Sequence, residues 1–288
     1  MRIYLMTDLE GVAGVQNFEL WTRPGCLFYL LARQLLTQEV NAAVEGFFAG
    51  GADSILVADG HGPGAVDVAD LDPRVEYMRG WPKSWPLGLE EGGYDFLAFV
   101  GQHAKSRTPQ SNMTHTQGAG YLELSINGTA IGEFGQLSMC ASQLGVRTIF
   151  ASGEKALAEE AQALVPGIET VWVKRGTRPG RGDECTEEQY RQRNGSAVHL
   201  HPQRARELIR EGAQRAISRA ASREEEFGII PLQPPFRRVY VQRANKKRPT
   251  RMYDIAEHAD DICALMAMPH DNLRVVESEE QLRDLLVD

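Results

Sequence analysis

Short apolar runs alternate with amphipathic segments along the first part of the chain. Arg2–Thr7, Ser54–Ala58 and Asp95–Val100 have the length of buried strands, and each passes into a polar loop that contains glycine. Cys26–Phe48, which follows the first strand, has apolar residues at helical spacing and ends before Gly50. This alternation predicts an α/β fold with a mostly parallel sheet flanked by helices.

A predicted β-hairpin interrupts this alternation. The apolar runs Tyr121–Ile126 and Thr129–Ile131 flank Asn127 and Gly128, a dipeptide that is typical of two-residue hairpin turns. After the hairpin the pattern predicts helices over Glu133–Leu144 and Glu154–Leu164 and strands over Arg147–Ala151 and Glu169–Lys174.

The composition changes after Lys174. Arg175–Ser196 is rich in Gly, Arg, Glu and Gln and almost without apolar residues, which predicts a long exposed loop. The later pattern predicts helices over Pro202–Ala221, Ile255–Met266 and Glu279–Leu286, strands over Arg238–Gln242 and Leu273–Val276, and a linker over Glu224–Pro235. We therefore expect a catalytic α/β domain at residues 1–174 and a smaller C-terminal α/β region at residues 175–288, which is available for oligomer contacts.

Charge and composition argue against several classes of protein, although the charge does not exclude a local basic patch. The 288 residues carry a net charge of −8, which argues against nucleic-acid binding because phosphate neutralisation needs a basic surface. No apolar run is long enough to cross a bilayer, and Met1 is followed at once by a strand-like run, so we expect neither a membrane span nor a signal peptide. Four widely spaced cysteines without a CxxC pair predict reduced thiols in a cytoplasmic protein.

Acidic and imidazole side chains follow the predicted strands or lie in nearby loops. Parallel strands present ligand-binding loops at their carboxyl ends, so we expect these side chains to meet at one edge of the sheet. They are Asp8 and Glu10 in TDLEG, His61 in DGHGPG, His103 in VGQHAKS, His115 in NMTHTQG and Glu133 in IGEFG.

Each of these residues by itself has an ordinary explanation. Asp8 and Glu10 could be turn residues, His61 an unremarkable loop histidine, and Glu133 an acid that the N-terminus of a helix stabilises. Taken together, three carboxylates and two histidines could hold a pair of divalent cations and leave one imidazole for acid–base chemistry. Such ligands suit zinc, and they also accept manganese or cobalt.

Several neighbouring polar residues have two interpretations. Asp59 could orient His61 by accepting its second N–H, or it could be a turn residue. Lys105 and Arg107 could pair with a substrate carboxylate or phosphate, but solvated loop cations are the simpler interpretation.

Two further polar features favour structural or surface roles. The pair His199 and His201 is a weak metal motif that we interpret as the flank of a helix start. The basic stretch from Arg237 to Arg251 has few aromatic residues, and we interpret it as a subunit contact or a solvated face.

The motifs around the candidate ligands resemble those of a known family. The segment TDLEG resembles a signature of the D-aminopeptidases related to the dipeptide-operon enzyme of Bacillus, which are binuclear zinc peptidases. The blocks DGHG, GQHAKS, MTHT and NGTAIGEFG follow in the order and approximate spacing of that family. The resemblance extends from Met1 to about Lys174, and Arg175–Ser196 is longer here than the family pattern.

The resemblance implies a role for each candidate residue. Asp8 would bridge two zinc ions, Glu10 and His61 would complete one site, and His103 and Glu133 would complete the other. His115 would be the catalytic histidine outside the metal shell. The resemblance further implies an α/β fold, hydrolysis of short peptides with an N-terminal D-amino acid, and a homo-oligomer, a decamer of two pentameric rings.

The residues alone leave the reaction open. Two cations would activate a shared water and polarise a peptide carbonyl, while His115 would move a proton to the departing amine or bind the oxyanion rather than act as a nucleophile. The same cluster would serve a two-metal phosphoesterase or amidohydrolase. It would also serve a protein that binds peptides or assembles with metal but has no turnover.

Overall fold

The computed structural model describes residues 1–221 and 227–287 of the chain. The strands are β1 Arg2–Thr7, β2 Ser54–Asp59, β3 Glu76–Met78, β4 Phe96–Gln102, β5 Tyr121–Ile126, β6 Thr129–Ala130, β7 Arg147–Glu154, β8 Glu169–Gly176, β9 Ala197–His199, β10 Phe236–Gln242, β11 Met252–His258 and β12 Arg274–Val275. The helices are α1 Phe18–Trp21, α2 Tyr29–Ala49, α3 Glu133–Gln143, α4 Lys155–Leu164, α5 Glu187–Arg193, α6 Pro202–Ala220, α7 Ile262–Ala267 and α8 Glu279–Leu285, with a 3₁₀ turn at Leu89–Glu91.

A mostly parallel sheet is the centre of the fold. Within the described residues it contains seven strands in the order β3-β2-β1-β4-β7-β8-β9, and β9 alone runs antiparallel to its neighbour. Both faces of β1 are buried: Ile3 and Leu5 pack in one hydrophobic core and Tyr4 and Met6 in another. Burial on both sides accounts for the continuous apolar runs of the central strands.

Helices cover the two faces of this sheet. On one face α2 and α6 pack against each other and against the strands, with Val40 and Phe47 of α2 and Ile209 and Ile217 of α6 buried in the same core as Ile3. On the other face α3 and α4 contribute apolar residues to the core that contains Tyr4. The helices fix the sheet, and thereby fix the loops at its carboxyl edge.

A smaller antiparallel sheet lies beside the main one. In the part of the chain that is described it has the strand order β12-β11-β10-β5-β6. The predicted hairpin is confirmed, and both turn residues, Asn127 (φ 49°) and Gly128 (φ 78°), have the left-handed conformation that a type I′ turn requires. Both sheets take strands from each side of residue 174, and the division of the chain there into two domains stays a prediction.

Two predicted segments differ from the structure. Ile255 belongs to β11, which pairs with β10 along its whole length, so the helix predicted over Ile255–Met266 begins only at Ile262, where Asp261 caps it. Arg175–Ser196 is not simply an exposed loop, since it contains α5. That helix starts at a capping box formed by Thr186 and Gln189, a pattern that was readable in the sequence.

The predicted linker lies only partly within the described residues. Its residues 224–226 lie outside them, and the remainder, 227–235, contains neither helix nor strand. Phe227 and Ile230 are buried, so this connection packs on the body of the protein.

Part of the basic stretch near β10 is buried. Arg238 is 2% exposed, donates to the carbonyl oxygens of Leu265 and Met268, and lies 3.4 Å from Asp254. Arg243 is fully buried over the ring of Tyr190, 3.6 Å from its centroid. The interpretation as a solvated face or subunit contact is therefore wrong for these two residues, because each satisfies internal carbonyl groups.

No helix within the described ranges is both long enough and apolar enough to cross a membrane. All four cysteines are free thiols.

Candidate metal centre

Adjacent parallel strands bring the candidate residues to one edge of the main sheet. β1 lies between β2 and β4, so Asp8, His61 and His103, which follow these strands, emerge side by side. Glu133 begins α3, and His115 lies in the loop between β4 and β5. The structure therefore brings all six predicted residues into one region.

Two glycines allow the loops after β1 and β4 to approach backbone to backbone. The N–H of Gly11 donates to the carbonyl of Gly101 over 2.7 Å. A Cβ on Gly11 would lie 2.0 Å from the carbonyl oxygen of Gln102, and one on Gly101, whose φ is +75°, would lie 2.0 Å from that of Asp8. Only glycine fits at these positions, and the contact holds Asp8 beside the end of β4.

The carboxylate of Asp8 lies between two imidazoles. Its Oδ1 is 3.2 Å from Nδ1 of His61, and its Oδ2 is 3.2 Å from Nε2 of His103. Glu10 Oε2 lies 3.1 Å from the same Nδ1 of His61. Asp8 thus lies between the two predicted half-sites, one with Glu10 and His61 and the other with His103 and Glu133.

Glu133 lies beside both His103 and His115. Oε1 of Glu133 is 3.5 Å from Nε2 of His103 and 3.7 Å from Nε2 of His115. The two imidazole rings stack, with centroids 4.0 Å apart and planes at 11°. One donor atom from each of His103, His115 and Glu133 lies within 4.8 Å of the others, and so does one from each of Asp8, Glu10 and His103.

Backbone carbonyls fix the orientation of all three imidazoles. A carbonyl oxygen only accepts hydrogen bonds, so the ring nitrogen that faces it carries the hydrogen and the other nitrogen faces the carboxylates. Proteins orient metal-ligating histidines in this way. The contacts are His61 Nε2 to Thr22 O at 2.8 Å, His103 Nδ1 to Ala104 O at 2.9 Å and His115 Nδ1 to Met113 O at 2.8 Å.

Two candidate metal-ligating atoms of the cluster are fully buried and, within residues 1–221 and 227–287, face only other members of the cluster. Glu10 Oε2 lies 3.1 Å from Nδ1 of His61, and His103 Nε2 lies 3.2 Å from Oδ2 of Asp8. Burying several ionisable groups together is costly, and a bound cation offsets that cost. Carboxylate oxygens and imidazole nitrogens are ligands that zinc, manganese and cobalt accept, so the residues fit such ions.

The surroundings shift the pKa values of the histidines in opposite directions. Burial alone would lower the pKa of His61, but Glu10 and Asp8 raise it to about 12. Burial would also lower the pKa of His103, but Glu133 and Asp8 raise it well above its ordinary value. At His115, burial and the neighbouring His103 lower the pKa. Without cations, His61 and His103 are therefore protonated and neutralise the carboxylates, whereas His115 is neutral.

Comparison with known proteins identifies the family. A sequence model of the D-aminopeptidases matches residues 1–266 of the chain.

The chain belongs to the D-aminopeptidase family. A D-aminopeptidase from Bacillus subtilis (strain 168) is 29% identical over 178 residues, which are 60% of this chain and 64% of that protein. The chain thus aligns in sequence with less than two thirds of this relative's length. The family match extends beyond Lys174, where the resemblance of the motifs weakens.

A solved structure has the same fold. The Zn-dependent D-aminopeptidase DppA from Bacillus subtilis, described as a self-compartmentalizing protease, superimposes with a TM-score of 0.73 at 22% identity. The superposition covers 93% of this chain and 95% of that chain. The predicted α/β fold is confirmed.

Asp59 does not orient His61, which was one of the two interpretations of this residue. Its carboxylate accepts hydrogen bonds from the backbone N–H groups of Ala65 and Val66 and from the hydroxyl of Tyr77. The second N–H of His61 donates to Thr22 instead. Sequence reasoning missed Thr22 because it acts through a backbone carbonyl, which every residue possesses.

Gln102 is a second residue of the site that the sequence analysis did not identify. Its side-chain amide donates to Oδ2 of Asp8 over 3.1 Å and so fixes the carboxylate that lies between the two half-sites. Its position beside His103, at the end of β4, was a signal that could have identified it.

Arg107 is a structural residue. It is 7% exposed, and its guanidinium contacts the carboxylates of Glu123 and Asp183, so the interpretation as a solvated loop cation is wrong. The side chain of Lys105 is 28% exposed and lies 3.8 Å from Glu160.

The structural interpretation of the HxH pair is confirmed. His199 accepts a hydrogen bond from the N–H of Gly14, and His201 caps α6 by accepting one from the N–H of Gln203.

Proposed function

We propose that the protein is a zinc-dependent aminopeptidase that hydrolyses short peptides, with a D-amino acid at the amino end. Membership of the D-aminopeptidase family supports this reaction class. The zinc requirement and the D-specificity are carried over from the Bacillus relatives as parts of the proposal.

One observation supports the metal centre above all others: the two oxygens of Asp8 face two different imidazoles, and a backbone carbonyl orients each ring. In the proposed assignment Asp8 would be shared by two ions. Glu10 and His61 would complete one site, and His103 and Glu133 would complete the other. The ions are Zn²⁺, with Mn²⁺ or Co²⁺ as substitutes.

When bound, the two cations would lower the pKa of a shared water and polarise the peptide carbonyl. His115 is the proposed proton carrier. Its lowered pKa keeps the imidazole neutral near pH 7, so that Nε2 can accept a proton and give it to the departing amine. The hydrogen bond from Nδ1 to Met113 keeps Nε2 directed towards Glu133 and the cluster.

The experiment that tests this proposal combines metal content with hydrolysis. Metal per subunit is measured by mass spectrometry, and amine release from D- and L-alanyl dipeptides is followed before chelation, after chelation and after zinc is restored. We expect two ions per chain and a zinc-dependent release that is faster from the D-dipeptide. Hydrolysis of a phosphoester panel alone, or tight peptide binding without amine release, would overturn the proposal.

We also propose that the protein is cytoplasmic, where its four free cysteines remain reduced, and that it forms the double-ring decamer which the family resemblance implies. Two exposed leucines near the start of α2 support self-association. Leu27 is 74% exposed and Leu30 is 70% exposed. Exposed apolar side chains are typical of contact surfaces when they are contiguous.

A further inference from the structure

The metal centre lies between two cavities. One has a volume of about 300 Å³ and the other of about 340 Å³, and both are lined by Asp8, Gly60, Gln117 and Glu133. Two of these shared residues are candidate metal ligands. A substrate whose reacting bond lies at the cluster therefore extends into both cavities.

The larger cavity has an apolar wall. Phe99 and Leu137, each 1% exposed, are part of its lining. The partly buried side chains of Trp81, Trp85 and Leu87 also line it. The amide of Gln102, which reaches this wall, is already hydrogen-bonded to Asp8. Such an apolar wall favours an aromatic or aliphatic group.

The smaller cavity is polar and is lined by two arginines. It includes Glu10, His61 and His115 of the cluster, and Arg23, Arg191 and the acid Glu187 also line it. Arg191 lies on α5, and its guanidinium is 5.5 Å from the ring centroid of Phe18. Arginine in such a position can bind a carboxylate through two parallel hydrogen bonds.

We propose that the apolar cavity binds the side chain of the first substrate residue and that Arg191, assisted by Arg23, binds the terminal carboxylate of a short peptide. This inference rests on the proposed aminopeptidase function. In that reaction the acyl side of the bond carries one residue, with its free α-amino group and its side chain, and the apolar cavity is assigned to the side chain. The remainder of the peptide, with its amides and its carboxylate, lies on the amine side. The favoured substrates are di- and tripeptides with a bulky apolar first residue and a free carboxyl terminus.

The first test varies the first residue of the substrate. kcat/KM is measured for Ala-Gly, Leu-Gly and Phe-Gly, each with both enantiomers of the first residue. We expect the wild type to prefer Phe or Leu over Ala by about tenfold or more, because a well-fitting apolar pocket discriminates by this amount for each added group. Trp85→Ala abolishes the preference, and Trp85→Phe keeps most of it.

Two controls accompany this test. Lys83→Ala changes an exposed side chain on the same loop, which is outside the residues that line the cavity, and should leave the preference unchanged. The metal content of each variant reports whether its centre is intact. A wild type that prefers Ala, or a metal-replete Trp85→Ala protein with unchanged selectivity, would overturn the assignment of the apolar cavity.

The second test removes the charge at the polar cavity. Arg191→Gln should lower kcat/KM for Phe-Gly by about tenfold or more, since a hydrogen bond to a charged group is lost. It should lower the rate with Phe-Gly-amide by much less, because the amide carries no charge. The kcat/KM of Arg191→Lys for Phe-Gly should lie between those of the wild type and Arg191→Gln. An equal loss with the acid and the amide would contradict carboxylate binding at Arg191.

Failure of this inference can be distinguished from failure of the proposed function. If no peptide is hydrolysed, the proposed function fails, and calorimetry of phenylalanine and alanine binding to the zinc-loaded protein still tests the apolar cavity. Binding of phenylalanine that is tighter than that of alanine, and that weakens in Trp85→Ala, supports the assignment. Equal binding contradicts it. Hydrolysis without a preference for the first residue leaves the aminopeptidase proposal intact and overturns only the inference.

Discussion

Oε1 of Glu133 lies 3.7 Å from Nε2 of His115, close enough that a cation or a proton could occupy the space between them. His115 differs from His61 and His103 because its pKa is lowered rather than raised. The position and the neutral state of this imidazole together favour a role in proton transfer.

The first prediction tests whether His115 transfers a proton or binds a cation. His115→Ala should keep both metal ions and lose turnover by about a hundredfold or more, as is usual when a general acid–base group is removed. Metal analysis and kcat on one preparation test this. His201→Ala, which removes the exposed cap of α6, is the matched histidine control. Loss of metal from His115→Ala would assign that residue to the ligands.

The second prediction concerns Asp8. Because its two oxygens face both half-sites, Asp8→Ala should release metal from both, whereas Glu10→Ala should weaken one. Metal content after dialysis distinguishes one lost ion from two. Asp70→Ala, an exposed acid after β2, serves as the control. Retention of two ions by Asp8→Ala would contradict its bridging role.

The third prediction is a pH dependence of metal binding. In the metal-free protein, Glu10 and Asp8 hold the pKa of His61 at about 12, and His103 is raised as well, so both rings are protonated near pH 7. A cation has to displace these protons, and its apparent affinity therefore rises with pH, by about tenfold per unit for each proton released. Titration calorimetry in buffers of different ionisation enthalpy counts the protons. An affinity for the cation that is constant between pH 6 and pH 8 would contradict this prediction.

The fourth prediction concerns the stability provided by Arg107. This buried guanidinium contacts Glu123, which is 4% exposed, and Asp183. Arg107→Ala should lower the free energy of unfolding by about 3–5 kcal/mol, because it leaves a buried carboxylate unpaired. Urea unfolding measures the loss, and exposed Arg74→Ala should have a much smaller effect.

The pH dependence of that loss gives an independent check. Burial raises the pKa of Glu123, and removal of Arg107 raises it further, so Glu123 becomes protonated more readily in the variant. The destabilisation should therefore shrink as the pH falls towards 5. A loss that does not change with pH would mean that the charge of Glu123 is not its source.

The fifth prediction concerns assembly. Leu27→Asp introduces a charge at an exposed leucine and should dissociate the proposed decamer of 32.0 kDa chains into smaller species. Light scattering coupled to size-exclusion chromatography measures the mass. Val68→Asp, at another exposed apolar residue, is the control. A monomeric wild type would contradict the assembly proposal directly.

Local sequence pattern was sufficient for the central part of the fold. β1, β2 and β4 appear as predicted, since a strand buried on both faces needs an apolar run and its exit loop needs polar and glycine residues. The same logic identified Asp8, His61 and His103. The pattern predicted a helix at Ile255, where the structure has a strand. A short run of apolar residues fits a helix or a strand equally well, and pairing with β10 makes this one a strand.

The sequence by itself determined which ionisable residues stand at the carboxyl edge of the sheet, because strand ends and glycine-rich loops are local features. Only the tertiary structure decided that Thr22 orients His61, that Gln102 fixes Asp8, and that Arg191 of α5 lines the cleft. These relationships join segments far apart along the chain. The packing of helices and sheets determines which residues meet. A backbone carbonyl that orients an imidazole cannot be recognised from residue type, because every residue has one.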